Sequence, residues 1–392
     1  MESNRSVWRA QRRSRVSGLL DLCAWLSHLV EQYFIWLLIG SYVIAAVCPS
    51  PGLWIRAISF GEIGAFREKT TITLPMVMLA LLLINAGLWV ELSRLKHLTH
   101  GLLILLIGLG ANLAAPLAYI LGMTQALRLW PDPAEVQSIL LGLALVAAMP
   151  IAGSSTAWSQ MVNGDLSLSL GLVVTSTMLS PLTTPVVLHA LGLMLTGDSA
   201  EELHLLAADG TGLFLILCVV IPSVLGILGR WSIGGARIGA VKHPLKLVNS
   251  LNLLLLNYAN ASLSLPQVVV RPDVDFLVVT LTIVLGLCVG AFASGWLVAR
   301  VMGVERPQQT ALMFGLGMNN NGTGLVLASV ALADSPRVML PIILYNLVQH
   351  LVAGVIAYRL RRITPHSSAA EPPENGTVCA DYSPATATVR RA

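Results

Sequence analysis

Ten stretches of this chain are so continuously apolar that none can be laid against water: roughly 29–48, 72–89, 100–123, 137–162, 166–191, 211–230, 245–265, 274–302, 308–333 and 338–359. A helix needs about 20 apolar residues to cross a bilayer core. Ten transmembrane helices are therefore expected. Composition points the same way, with 55% hydrophobic and 11% charged residues, where soluble domains carry about 25% charged. A soluble globular enzyme is excluded. Barrel strands would alternate over short segments, whereas Leu102 to Leu109 and Leu277 to Val289 do not. The expected fold is an all-α polytopic membrane protein.

Lys and Arg orient the helices. With the N-terminus inside, 18 of the 24 basic residues face the cytoplasm and only Arg56, Arg67, Lys69, Arg128, Arg271 and Arg337 face outward. The positive-inside rule then puts both termini in the cytoplasm. The predominance of Arg over Lys fits a bacterial chain, and hence the cell (cytoplasmic) membrane. The net charge of +4 is scattered through loops, which leaves no continuous basic face for nucleic acid. The partner implied is the lipid bilayer. Cys23, Cys48, Cys218, Cys288 and Cys379 have no C-x-x-C spacing, so neither a disulfide framework nor a zinc site is implied.

Four parts are expected. Residues 1–28 form a basic cytoplasmic arm and interfacial helix, in which Leu19, Leu22, Leu26 and Leu29 recur at helical spacing. Residues 29–191 hold five helices and 211–359 another five. Residues 364–392, rich in Pro and small polar residues, form a disordered tail. Because five is odd, the second group enters the membrane from the side opposite to the first, so the repeat is inverted.

Two spans are interrupted, each the fourth of its group. One contains Pro150-Ile151-Ala152-Gly153-Ser154-Ser155-Thr156, the other Gly315-Leu316-Gly317-Met318-Asn319-Asn320-Asn321-Gly322-Thr323-Gly324. Unwinding inside hydrocarbon exposes amides and carbonyls at several kcal/mol each unless protein or a polar cavity satisfies them. In secondary transporters such breaks form the binding site, half-helix N-termini meeting anions and freed oxygens meeting cations. Gly153 and Gly322 allow the backbone geometry, while Ser154, Ser155, Thr156, Asn319 and Asn320 offer hard oxygens. Small and hydroxyl residues also serve as packing glue between membrane helices, which is the plainer reading of Ser176, Thr177 and Ser180.

The run 150–156, followed by Asn163-Gly-Asp165, Leu168-Ser169 and Thr175-Ser-Thr-Met-Leu-Ser-Pro181, resembles the fourth and fifth helices of the bile acid:sodium symporter family. Gly317-Met318-Asn319-Asn320 resembles its second sodium motif. The resemblance spans residues 29–359 and implies two inverted five-helix repeats with two broken, crossing helices, the fourth and ninth. Helices three to five and eight to ten would form a core, and one, two, six and seven a panel. Substrates would be organic anions such as bile acids, sterol sulfates or small carboxylates, bound between core and panel. Ser155 and Ser169 match hydroxyls of the first sodium site and Thr156 stands in for an Asn. Met318 would lend its carbonyl, Asn319 replaces a Gln, and Asn320 matches the Asn beside the substrate. No cofactor is implied beyond Na+ as coupling ion.

The chain departs from that pattern at three places. Gly315 stands where the family has a bridging acid, Val173 where it has a hydroxyl, and Ala111, beside Asn112, near its third-helix Gln. Neutral oxygens alone can hold sodium, but with less attraction. The expectation is sodium-coupled symport of an organic anion, with a sodium-independent uniporter or a proton-coupled carrier of the same fold as the alternative. A membrane-embedded enzyme would need a nucleophile and base or a metal cluster, and none is grouped in the sequence.

Further residues join the expected substrate site. Gln349 and His350 lie in the tenth span, where the family carries a polar pair, and a membrane His is a functional candidate. Asn257 and Asn260 are three residues apart, on one helix face, and can line the panel side. Packing glue is the plain alternative for both pairs. Asp165 is expected to cap the fifth helix rather than to bind an ion.

Overall fold

The computed structural model describes residues 22–65, 68–95, 101–194, 198–208, 211–270, 272–332 and 335–363. The basic arm and the Pro-rich tail lie outside the described residues, apart from the last residues of the interfacial helix. That helix, α1 (Leu22–Gln32), is bent by 76° against α2 (Phe34–Val47). Next come α3 (Ser50–Ala57), a hairpin of β1 (Ser59–Ala65) and β2 (Glu68–Thr73), α4 (Leu74–Leu88) and α5 (Leu92–Leu95). The long α6 (Leu102–Ala126) leads to a broken pair, α7 (Pro133–Ala148) and α8 (Ser154–Met161), and then to α9 (Leu166–Met194).

In the second half, α10 (Asp198–Ala208) precedes α11 (Thr211–Leu215) and α12 (Ile221–Ile233), which a π-helical turn at Ile216–Val220 makes continuous. After α13 (Gly235–Ala240) come α14 (Lys242–Val270) and α15 (Val274–Met302). A second broken pair, α16 (Arg306–Gly317) and α17 (Asn321–Ala331), precedes α18 (Met339–Ile363). The ends are set locally. Asp132 caps α7 by accepting from Ala134 N at 2.8 Å, and Asp273 caps α15 by accepting from Phe276 N at 3.1 Å. Gly303, in the left-handed region at φ 63°, stops α15.

Among the described residues six helices are long and apolar enough to cross a membrane, or seven if the bent α1–α2 pair is one span. The chain is a multi-pass membrane protein. The ten apolar segments yield fewer single helices of that length for a plain reason. The fourth and ninth segments are each split into two pieces, and α4, with 15 residues, is shorter than a bilayer core requires.

Packing sorts the helices into two groups. α2, α3 and α4 pack on α14, and α4 on α12, while α6 to α9 pack with α15 to α18. Contacts of α14 with α17 and α18, of α4 with α17, and of α2 with α18 form the seam between them. The second group holds the breaks at its centre. α7 is buried on every side from Ile139 to Ala148, and α17 from Thr323 to Ser329, as expected of helices apolar all round.

Close approach needs small residues, because lipid tails provide no hydrophobic force between helices. Gly87 of α4 and Gly226 of α12 meet backbone to backbone. A Cβ on Gly226 would strike the Ile84 carbonyl oxygen and lie 2.8 Å from Gly87 Cα. Gly226→Val is expected to destabilise the protein by about 1–3 kcal/mol, read from the midpoint of reversible unfolding in mixed detergent. An unchanged midpoint would contradict the close contact.

Candidate functional site

Pro150 begins the first break by withholding an amide and disfavouring helix at Met149, which is extended at ψ 146°. Met318, extended at ψ 114°, begins the second. The two extended segments lie antiparallel with Ile151 opposite Asn319. Ala152 N–H donates to the Met318 carbonyl at 2.9 Å, and Asn320 N–H donates to the Pro150 carbonyl at 2.8 Å. Each break thus satisfies the other.

The neighbouring helices supply the rest. Ile151 N–H donates to Ser176 Oγ of α9 at 3.1 Å, and Asn319 N–H donates to Gln349 Oε1 of α18 at 3.0 Å. Asn319 Nδ2 donates to the Val146 carbonyl at 2.9 Å, and Thr184 Oγ1 to the Ala148 carbonyl at 2.6 Å. Ser176 therefore supports the break, in keeping with the packing reading.

Several buried oxygens on the two broken pairs and on the neighbouring α6 and α9 have no partner. Asn112 Oδ1, Ser155 Oγ, Ser159 Oγ, Ser169 Oγ, Asn319 Oδ1, Asn321 Oδ1 and Thr323 Oγ1 are all buried and unbonded. An unsatisfied buried polar group costs about 1–3 kcal/mol, so such a group calls for a ligand. Four residues on from the facing pair Ile151 and Asn319 stand Ser155 and Thr323, both fully buried hydroxyls. The chain from 136 to 164 and from 307 to 333 contains no charged residue. Any ion here would meet dipoles alone.

The expected ligands are not all free. Ser155 and Ser169 keep open oxygens, and so does Asn319 at Oδ1. Thr156, half-buried, donates its hydroxyl to the Gly153 carbonyl of its own turn at 2.7 Å. The Met318 carbonyl has one lone pair committed to Ala152. Asn320 caps α17, its Oδ1 accepting from Thr323 N at 3.3 Å. Gly153 precedes α8 and Ser154 opens it, with Gly153 facing Ala86 of α4 across the seam. Asp165 caps α9 as expected, accepting from Leu168 N at 3.0 Å.

The three departures gather in one place. A Cβ on Gly315 would lie 2.9 Å from Leu172 Cδ1. Leu172 belongs to a buried cluster with Leu105, Leu168, Leu312 and Leu316, against which Ala111 and Val173 pack. Where the resemblance drawn from the sequence would put an acid, a hydroxyl and an amide, this chain has an apolar plug.

At the seam, Asn257 lies against α18, but Asn260 is engaged elsewhere, by Arg56. Asn346 Nδ2 donates to Tyr42 Oη at 2.8 Å and to Asn257 Oδ1 at 3.2 Å, and Gln349 Nε2 donates to Asn346 Oδ1 at 3.4 Å. A polar chain thus runs from Asn319 through Gln349 and Asn346 to Tyr42 and Asn257. His350 lies apart from it, Nδ1 accepting from Trp158 Nε1 at 3.4 Å with the ring edge-on to Phe34. The sequence reading missed Ser159, Asn321, Thr323, Tyr42 and Asn346. Asn321 and Thr323 sit inside the polar run already singled out, whereas Tyr42 is embedded in an apolar span without a local signal.

The SBF-like CPA transporter family (DUF4137) matches residues 32–362, which hold both breaks and both helix groups. The chain belongs to this family. YbaS of Bacillus subtilis, an uncharacterized protein, is 28% identical over 57% of this chain and 69% of its own length. The Bacillus subtilis protein YocS, named as an uncharacterized sodium-dependent transporter, is 23% identical over 86% of this chain and 94% of its own. The uncharacterized Pseudomonas aeruginosa protein PA2026 is 25% identical over 61% of this chain and 71% of its own. Membership of a transporter family points to transport rather than catalysis.

Gln349→Leu removes the acceptor for the buried Asn319 amide. It is expected to cost about 1–3 kcal/mol in the same detergent unfolding, while Thr156→Val, which loses only a bond within its own turn, stays within about 0.5 kcal/mol. Equal losses would mean that the crossing is not held from α18.

Proposed function

We propose that this family member is a secondary active transporter of an organic anion, of the bile-acid-like, sterol sulfate or small carboxylate class, coupled to sodium. The observation that carries the reading is the antiparallel crossing of two helix breaks surrounded by buried, unbonded oxygens. Sodium is a hard cation, and neutral hydroxyl and amide oxygens suit it. Ser155, Ser169 and Asn319 would hold it, joined by Asn112. Thr156 and Met318 take part only if their present bonds are exchanged. The name of YocS supports sodium as the coupling ion.

The chain would cross the bilayer ten times as two inverted five-helix repeats, 29–191 and 211–359, in the cell membrane with both termini cytoplasmic. The matched position of the breaks, fourth in each half, supports this arrangement. The substrate's anionic group would approach the half-helix N-termini at Ser154 and Asn320, whose positive dipole ends favour negative charge. Gln349, His350 and Asn257 would line the crevice. Alternating access then amounts to one helix group moving against the other, parting the Asn346 bonds to Tyr42 and Asn257.

A second reading rests on Leu172 at Gly315. With the bridging acid replaced by an apolar plug, coupling to sodium is lost and the protein is a uniporter or a proton-coupled carrier. Uptake of radiolabelled taurocholate, estrone sulfate and pantoate into proteoliposomes separates the two. The expected result is uptake of at least one probe that falls at least tenfold when choline replaces sodium, and equally in the Ser155→Ala/Ser169→Ala double variant. Uptake indifferent to sodium selects the second reading. No uptake of any anion under either condition sinks both.

A further inference from the structure

Arg56 of α3 is a half-buried cation with no acidic partner among the described residues. Its guanidinium donates from Nη1 to Asn260 Oδ1 of α14 at 3.0 Å and from Nη2 to the Ser329 carbonyl of α17 at 2.8 Å. It therefore ties the panel-side helices α3 and α14 to the last turn of a half-helix of the other group. Asn260 is fully buried, and its Nδ2 has no partner. Its orientation is fixed chemically, since a guanidinium only donates and must face the amide oxygen. A cation without an acidic partner among the described residues and an orphaned donor thus stand side by side at the seam.

A polar face of α14 continues from Asn260 toward the end of the helix. Asn260, Ser264 and Gln267 recur at spacings of four and three, on one face of α14. Ser264 and Gln267 line a cavity of about 360 Å³ whose wall also carries Arg337 and Asp273. Asp273 accepts a hydrogen bond from the first turn of α15 and keeps its negative charge beside Arg337, so the wall carries charges of both signs. The Lys and Arg distribution assigns this end of the molecule to the outside.

Building on the organic-anion reading, we infer that Arg56 and Asn260 form the outer recognition site for the substrate's carboxylate, sulfonate or sulfate, and that the anion takes Arg56 away from Asn260 and Ser329. Planar guanidinium matches oxyanions bidentately, and Asn260 Nδ2 adds the donor that now lacks an acceptor. In the present arrangement Arg56 latches the two helix groups together. The arriving anion releases the latch and so couples recognition to opening.

The test uses full-length protein in detergent free of anionic lipid, so that a lipid headgroup cannot stand in for the substrate. Melting shifts are titrated with taurocholate, estrone sulfate and pantoate, and uptake KM is measured in phosphatidylcholine vesicles. Arg56→Gln is expected to weaken apparent binding and raise KM at least tenfold for every probe the wild type accepts, and Arg56→Lys, which keeps the charge but not the bidentate fork, to recover only part of it. Asn260→Asp, which keeps Arg56 and gives it a permanent counter-ion, is expected to weaken both as strongly without lowering the ligand-free melting point. That variant separates anion binding from mere capping of α17. Wild-type uptake with Arg56→Gln and Asn260→Asp both within twofold of wild type overturns this inference and leaves the organic-anion reading standing. No binding or uptake of any probe by the wild type overturns both.

Discussion

Everything in this molecule is arranged around two pieces of backbone that are not helical where the surroundings are apolar. Peptide groups at 149–153 and 318–320 have no water to turn to, and a lone break would leave them unpaired at several kcal/mol each. Here each break is the other's partner. The Ala152–Met318 and Asn320–Pro150 hydrogen bonds join them as a two-residue scrap of sheet, and Ser176 and Gln349 take the amides at its centre. The burial of α7 and α17 follows from this, because the crossing must sit in the middle of its helix group to be satisfied from all sides.

Satisfying the backbone leaves the side chains in an unusual position. Hydroxyls at 155, 159, 169 and 323 and amide oxygens at 112, 319 and 321 are buried with nothing to bind, although ordinary packing would turn many of them onto a nearby carbonyl. On the proposed reading a small cation would resolve that frustration; a carboxylate is not required for this, though without one the attraction comes from dipoles alone. The plug of Leu172 against Gly315 is part of a wider apolar patch. Val173 and Ala111 pack against the same cluster. A seam of amides and one phenol connects the crossing to the other helix group, which gives a change at the crossing a physical path to the crevice.

The breaks were legible in the sequence because their causes are local. Pro150, Gly153 and the Asn run announce themselves, as does Asp165, whose cap on α9 depends on three neighbouring residues. The helices fall where the apolar segments do, but the broken pairs and α4 do not form single helices of membrane-crossing length, α4 being short in length and not in apolarity. The crossing itself, and which oxygens stay open, depend on tertiary contact. Thr156 and Ser155 are adjacent in sequence, yet one hydroxyl bonds its own turn and the other faces inward unpaired. Tyr42 meets an Asn 304 residues away, and Leu172 fills space beside a glycine in another helix. Neither pairing leaves a pattern along the chain.

The claim on which the rest depends is that the crossed breaks hold a cation. Binding of radioactive sodium to the purified protein, followed by scintillation proximity and competed with unlabelled sodium, potassium and choline, tests it without a known substrate. The account predicts saturable binding displaced by sodium but not by choline, and abolished when Ser155 and Ser169 are both alanine. Sodium retained at no more than background by a folded wild-type protein would contradict it.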